Sequence, residues 1–168
     1  MADLGLVVIG LDPGSRVTGY GIVREISGKA ELVDTGTVRT PQNRPMADRL
    51  GVIYARLSEL IEAHGPVEAA IENVFVSRNP SSALKLGQAR GAAMAACATH
   101  GLPVAEYEPS KVKKNLVGLG SAPKDQVAFM VAHCLGVKKP DWAEDASDAL
   151  AVAICHLNER RMRKLTGI

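Results

Sequence analysis

Apolar residues run almost without a break over positions 6–11, and β-branched side chains are frequent among them. Such a run fits a central strand covered on both faces. Asp12-Pro13-Gly14-Ser15 ends it with turn-forming residues. Positions 20–24 and 32–39 carry two further strand patterns, and Ser27-Gly28-Lys29 is a short turn between them. An antiparallel meander is the economical arrangement of these three. Met46, Leu50, Ile53, Leu57 and Leu60 then recur at spacings of three and four, which predicts an amphipathic helix ending near Gly65-Pro66.

Positions 68–74 read as a short strand. Asn79 and Pro80 supply a cap and a first helical residue for a helix reaching about His100 and stopping at Gly101. Positions 104–107 form the last strand pattern. A shorter helix is predicted over 109–116, a loop at Gly118 and Gly120, a helix opened by Pro123, and a final helix from 142 to about 164. Val127, Met130, Val131 and Cys134 share one face of the Pro123 helix. This order predicts an α/β fold: one five-stranded mixed sheet, an antiparallel meander plus parallel strands, with helices on both faces. A single domain over residues 1–168 is expected, its last few residues a frayed basic tail.

Composition changes this picture little. The chain has 168 residues, 46% hydrophobic and 23% charged, as in an ordinary globular domain. Only 4% are aromatic, so Val, Leu, Ile and Ala must fill the core. The net charge of +2 says nothing decisive about partners. The three cysteines, Cys97, Cys134 and Cys155, lack zinc-ligand spacing and read as small buried thiols in a reducing compartment. The N-terminus lacks a basic region and a signal-peptide pattern, and no apolar run approaches the roughly 20 residues of a membrane span. The expected location is cytoplasmic.

The chemistry lies in carboxylates. Asp12 follows the run most suited to a central strand, where an unpaired charge is costly to bury. Taken alone, it equally suits the opening of a turn. Glu72 closes a second strand, and two such strands side by side and parallel would bring both acids to one sheet edge. Asp145 and Asp148, three apart, share a face of the last helix. Like charges so placed favour a counter-ion, although an acidic first turn also complements the helix dipole. Hard divalent cations select oxygen ligands. Two of them about 4 Å apart can activate water against a phosphodiester.

Longer motifs raise the specificity. Residues 9–21, Ile-Gly-Leu-Asp-Pro-Gly-Ser-Arg-Val-Thr-Gly-Tyr-Gly, resemble the opening of the RuvC family of Holliday junction resolvases. Residues 71–91, from Ile-Glu-Asn-Val-Phe to Leu-Lys-Leu-Gly-Gln-Ala-Arg-Gly, resemble its second block. Val117-Gly-Leu-Gly-Ser-Ala and Asp145-Ala-Ser-Asp-Ala-Leu-Ala resemble two later ones. The resemblance implies a ribonuclease H-like fold and a homodimer. It also implies paired symmetric nicks in four-way DNA junctions during recombination and repair, leaving 5′-phosphate and 3′-hydroxyl ends. It puts the four acidic positions, as catalytic residues and metal ligands, on Asp12, Glu72, Asp145 and Asp148, and Asp145 stands where some members have histidine. The carboxylate set calls for magnesium, one ion per site or, as favoured, two, with manganese able to substitute, and the resemblance implies action alongside the RuvA and RuvB branch-migration proteins.

Phe75 suits either a core aromatic or a side chain stacking at the junction crossover, and the resemblance favours the second. Arg78, Lys113 and Lys124 are candidate phosphate contacts, and the resemblance puts Lys113 and Lys124 near the scissile phosphate. Lys111 and Lys114 belong to the same basic stretch, whose bland reading is a solvated face. Arg160, Arg161, Arg163 and Lys164 need no explanation beyond the helix dipole. Ala83, Gly87, Gly91 and Ala95 form a small-residue stripe that would pack inside the protomer or across a two-fold axis. The four histidines show no ligand spacing. Competing readings are a ribonuclease H-like nuclease acting on RNA precursors, a phosphotransferase of the actin-like superfamily, and a non-catalytic junction-binding protein. The one-domain length argues against the phosphotransferase, and retention of all four acids against the binding protein.

Overall fold

The computed structural model describes residues 5–74 and 78–167. Strands β1 (Leu6–Asp12), β2 (Val17–Ile26) and β3 (Lys29–Arg39) form the predicted meander. The second and third strands outrun their apolar patterns because the antiparallel ladder continues through polar residues, from Val17 opposite Arg39 to Ile26 opposite Lys29. Ser27 and Gly28 close the hairpin at φ 50° and 80°. Two left-handed residues in a row match the twist of the flanking strands.

Helix α1 (Met46–His64) is stopped by left-handed Gly65, whose N–H donates to the Ile61 carbonyl. Strand β4 (Glu68–Glu72) runs parallel to β1. Helix α2 (Pro80–Thr99) starts where the Asn79 side chain accepts the N–H groups of Ser81 and Ser82. Strand β5 (Val104–Tyr107) pairs parallel with β4. Helices α3 (Pro109–Val117), α4 (Lys124–Cys134) and α5 (Glu144–Thr166) follow. Two boundaries move from expectation. The strand expected over 68–74 stops at Glu72, because β5 ends at Tyr107 and the ladder has no partner beyond it. The last helix starts at Glu144 instead of 142, because Ala143 holds an extended conformation as its cap.

The sheet order is β3-β2-β1-β4-β5, so β1 is central. Alternation along the strands divides the core. Ile9, Leu11 and Ile71 pack with Ile53 and Leu57 of α1 and Ala93 of α2. Val8 and Ala70 pack on the other face with Val131 of α4 and Leu150 of α5. Helices thus cover both faces, as expected. Cys97 and Cys155 are buried, and burial pushes their thiols up to about 11 and about 12. Cys134 is exposed, contrary to its reading as a buried thiol, because α4 turns Val127, Val131 and Ala132 inward instead. Among the described residues, no helix is long and apolar enough to cross a membrane.

The fifth helix positions the site. It is buried on every side from Ala146 to Leu157, apart from Asp148. It lies against β1 and β2, and three strand glycines allow the close approach. A Cβ on Gly10 would overlap the Ala149 carbonyl oxygen and stand 2.7 Å from the Ala153 nitrogen. One on Gly19 would overlap the Asp145 carbonyl, and one on Gly21 would stand 2.6 Å from Leu150 Cδ2.

Candidate active site

The period of two along β1 puts Val8, Gly10 and Asp12 on the face covered by α5. The same parity puts Ala70 and Glu72 of the neighbouring parallel strand there. Both strands end in their carboxylate, so Asp12 and Glu72 meet at one sheet edge. The first turns of α5, seated on Gly19 and Gly10, bring Asp145 and Asp148 to the same edge. All four acids line one cleft of about 330 Å³, together with Lys113 from α3 and Lys124 from α4.

The cleft carries more negative charge than it can hold unaided. Burial, followed by repulsion from Glu72, Asp148 and Asp145, raises Asp12 from the ordinary 3.8 to about 8. A hydrogen bond to Glu72 adds to the rise. Burial and the nearby Asp148 also raise Glu72. Asp148 is raised by burial, although Lys124 opposes the shift. Lys124 is in turn raised, first by its hydrogen bond to Glu144 and then by Asp148, which lies 3.8 Å away. Glu144 is a partner that sequence reading did not assign.

The donor set fits a hard divalent cation. Its acidic donors are all carboxylate oxygens, and a cation would offset the repulsion that raises Asp12 and Glu72. Among the described residues no group of three or more His, Cys, Asp or Glu side chains is placed to hold a metal ion. Magnesium needs no such group, because one or two carboxylates with water and substrate oxygens can complete its shell.

A stability prediction follows from Asp12. Its folded value of about 8 lies above its unfolded value of 3.8. The folded state therefore binds the proton more tightly, and that contribution is complete below pH 3.8 and lost as pH rises to about 8. Without divalent metal, the protein is expected to lose up to about 1.4 kcal/mol of stability per pH unit across that window. Denaturant melts from pH 5 to 8 in chelator check this. A flat profile for this contribution, measured against the Asp12→Asn variant, would refute it.

The other candidates separate. Arg78 is exposed ahead of α2 and does not line the cleft. Phe75 lies outside the described residues. Lys111 turns away to Glu159, at 3.0 Å. Arg160 and Arg161 do more than face the helix dipole: they pair with Glu68 and Glu25, at 3.0 and 2.9 Å, and tie α5 to the sheet. Ala83, Gly87, Gly91 and Ala95 are all exposed, because α2 buries Ala89, Ala93, Ala96 and Cys97. Packing of the small stripe inside the protomer is thereby excluded. His156 went unassigned in the sequence. It is buried between the Tyr107 hydroxyl at 2.8 Å and Glu68 at 2.7 Å, bracing α5 beneath the site.

A family model for the crossover junction endodeoxyribonuclease RuvC matches residues 8–156. The chain belongs to the RuvC family. It is 61% identical to the crossover junction endodeoxyribonuclease RuvC of Oleidesulfovibrio alaskensis over 99% of both chains. It is 59% identical to that of Solidesulfovibrio magneticus, over 96% of this chain and 95% of the relative. Among solved structures, RuvC of T. thermophilus in complex with a Holliday junction substrate superposes with a TM-score of 0.88. That pair is 38% identical, with 94% of this chain and 96% of the other covered. The mixed five-stranded sheet is thus the ribonuclease H-like sheet of RuvC proteins.

Proposed function

We propose that this protein is a Holliday junction resolvase, a metal-dependent endonuclease that nicks four-way DNA junctions symmetrically and leaves 5′-phosphate and 3′-hydroxyl ends. The observation that carries this reading is the convergence of Asp12, Glu72, Asp145 and Asp148 with Lys113 and Lys124 in one cleft, within a RuvC-family chain. Asp12, Glu72, Asp145 and Asp148 would hold the magnesium in this cleft. When bound, magnesium would supply Lewis-acid activation of the attacking water and charge neutralisation at the leaving oxygen. Lys124, poised between Glu144 and Asp148, and Lys113 would hold the scissile phosphate against an otherwise repulsive cleft. Phe75 and Arg78 are proposed to meet the DNA near the crossover.

A homodimer suits a substrate of near two-fold symmetry, and the exposed stripe on α2 lets a second backbone approach. We place the protein in the cytoplasm beside the RuvA and RuvB branch-migration machinery, in keeping with its unpaired Cys97, Cys134 and Cys155. The test is incubation of a synthetic mobile four-way junction with purified protein and magnesium. Paired nicks in strands of like polarity, ligatable without processing and abolished by chelator, are expected. Cleavage of RNA or linear duplex in preference to the junction would sink the reading in favour of another ribonuclease H-like nuclease.

A further inference from the structure

Thr18, Thr40 and Arg49 are among the few buried polar or charged residues described, and all three serve one short loop. That loop, residues 13–16, carries the chain from Asp12 into β2. The Thr18 hydroxyl accepts the Gly14 N–H at 3.3 Å and donates to the Gly14 carbonyl at 3.1 Å. The Thr40 hydroxyl donates to the Ser15 carbonyl at 2.7 Å, and the Thr40 N–H donates to the Arg16 carbonyl at 3.1 Å. Arg49, on the first turns of α1, reaches the same Ser15 carbonyl through Nη2 at 2.6 Å.

Arg49 is 8% exposed, yet its partners are neutral: Ser15 O, Thr40 Oγ1 at 3.3 Å and Gln42 Oε1 at 3.4 Å. A buried cation held only by neutral groups is costly, and an apolar side chain of similar volume often serves stability as well. Stability alone therefore does not account for a guanidinium here. Arg49 does not line the cleft, so any effect on chemistry must pass through the loop. Its fork holds the Ser15 carbonyl inward, three residues from Asp12. The peptide bond between Ser15 and Arg16 is trans, so the Arg16 N–H points away from the clamp.

We propose that Arg49 is a positioning residue for the reaction: with Thr40 it clamps the Ser15 carbonyl and so fixes the loop that aims the Asp12 carboxylate. This rests on the resolvase reading for its kinetic consequence, but the clamp itself is observable without metal or DNA.

The test compares wild type with Arg49→Met, Arg49→Lys and Thr40→Val as full chains. In metal-free protein, amides of residues 14–18 should exchange at least about tenfold faster in Arg49→Met, while the thermal midpoint stays within a few degrees. In junction cleavage, kcat should fall about tenfold to a hundredfold, the cost of a misplacement on the order of 1 Å. Junction Kd should hold within about threefold. Arg49→Lys should recover part of the rate, since an ammonium reaches one carbonyl without the fork. Thr40→Val should show the same split at smaller size and decides the matter if Arg49→Met does not fold. Wild-type exchange and kcat in both Arg49→Met and Thr40→Val would overturn the proposal. So would a rate loss matched by equal losses in junction affinity and thermal midpoint. A wild-type protein inert on junctions would instead defeat the resolvase reading, leaving the exchange comparison to judge the clamp.

Discussion

Asp12→Asn is expected to cut junction cleavage at least about a thousandfold, roughly 4 kcal/mol of transition-state stabilisation, while junction binding changes by less than about threefold. The substitution is nearly isosteric. An asparagine amide can still hydrogen-bond to Glu72, as Asp12 does, so the sheet edge should keep its shape. What disappears is a negative charge that would help to hold the cation. Binding should survive because phosphate affinity comes chiefly from basic side chains, and Lys113 and Lys124 are untouched. Electrophoretic shift in calcium or chelator, set beside single-turnover cleavage in magnesium, checks both halves. Cutting at the wild-type rate would remove Asp12 from the metal site. Loss of binding in step with cleavage would show that metal, not lysine, holds the DNA.

The same variant separates electrostatics from folding. Its asparagine carries no titrating proton, so the fall in metal-free stability between pH 5 and 8 should flatten. At the upper end of that range the Asp12→Asn protein should equal or exceed the wild type in stability. A site tuned for a cation is thus expected to be unstable when empty, with burial and mutual repulsion of Asp12, Glu72 and Asp148 as the cause.

Much of this arrangement is legible in the chain itself. Turns and helix caps depend on neighbours in sequence, so the turn after Asp12, the Asn79 cap and the Gly65 stop can be read locally. The apolar runs before Asp12 and Glu72 are enough to place both acids late in strands, but not to show that they face one helix. That needs the parallel register of Leu11 with Ile71. His156 stays silent because its partners stand 49 and 88 positions away. Arg49 looks like one more charge on an amphipathic helix, and its burial emerges only once the loop after Asp12 folds over it. Cys134 ends an apolar stripe of which α4 buries only Val127 and Val131. The lysines are readable as basic, whereas the diversion of Lys111 to Glu159 and of Lys124 towards Glu144 depends on three-dimensional neighbours.

The strand glycines give the other large expected effect. In a linear sequence Gly10, Gly19 and Gly21 look like weak points, since glycine lowers strand propensity. In the fold they are the floor on which α5 rests. Gly19→Ala puts a methyl group into the Asp145 carbonyl and within 3.0 Å of the Ala146 nitrogen. Both obstacles are backbone, so no rotamer change relieves them, and α5 must lift at its first turn. Overpacking of this kind costs roughly 1–3 kcal/mol, expected as a fall of about 3–10 °C in thermal midpoint for a chain of this size. Cleavage should fall further than stability suggests, by about a hundredfold, because the displaced turn carries Asp145 and lies one turn from Asp148. Gly51→Ala is the control. Gly51 is exposed on α1, and a Cβ there would meet nothing within 4 Å. Alanine at that position should stabilise by up to about 1 kcal/mol and leave cleavage unchanged. Equal behaviour of the two variants in calorimetry and cleavage would mean that helix and sheet are not held at contact distance. The carboxylates from strand and helix would then need another reason to meet.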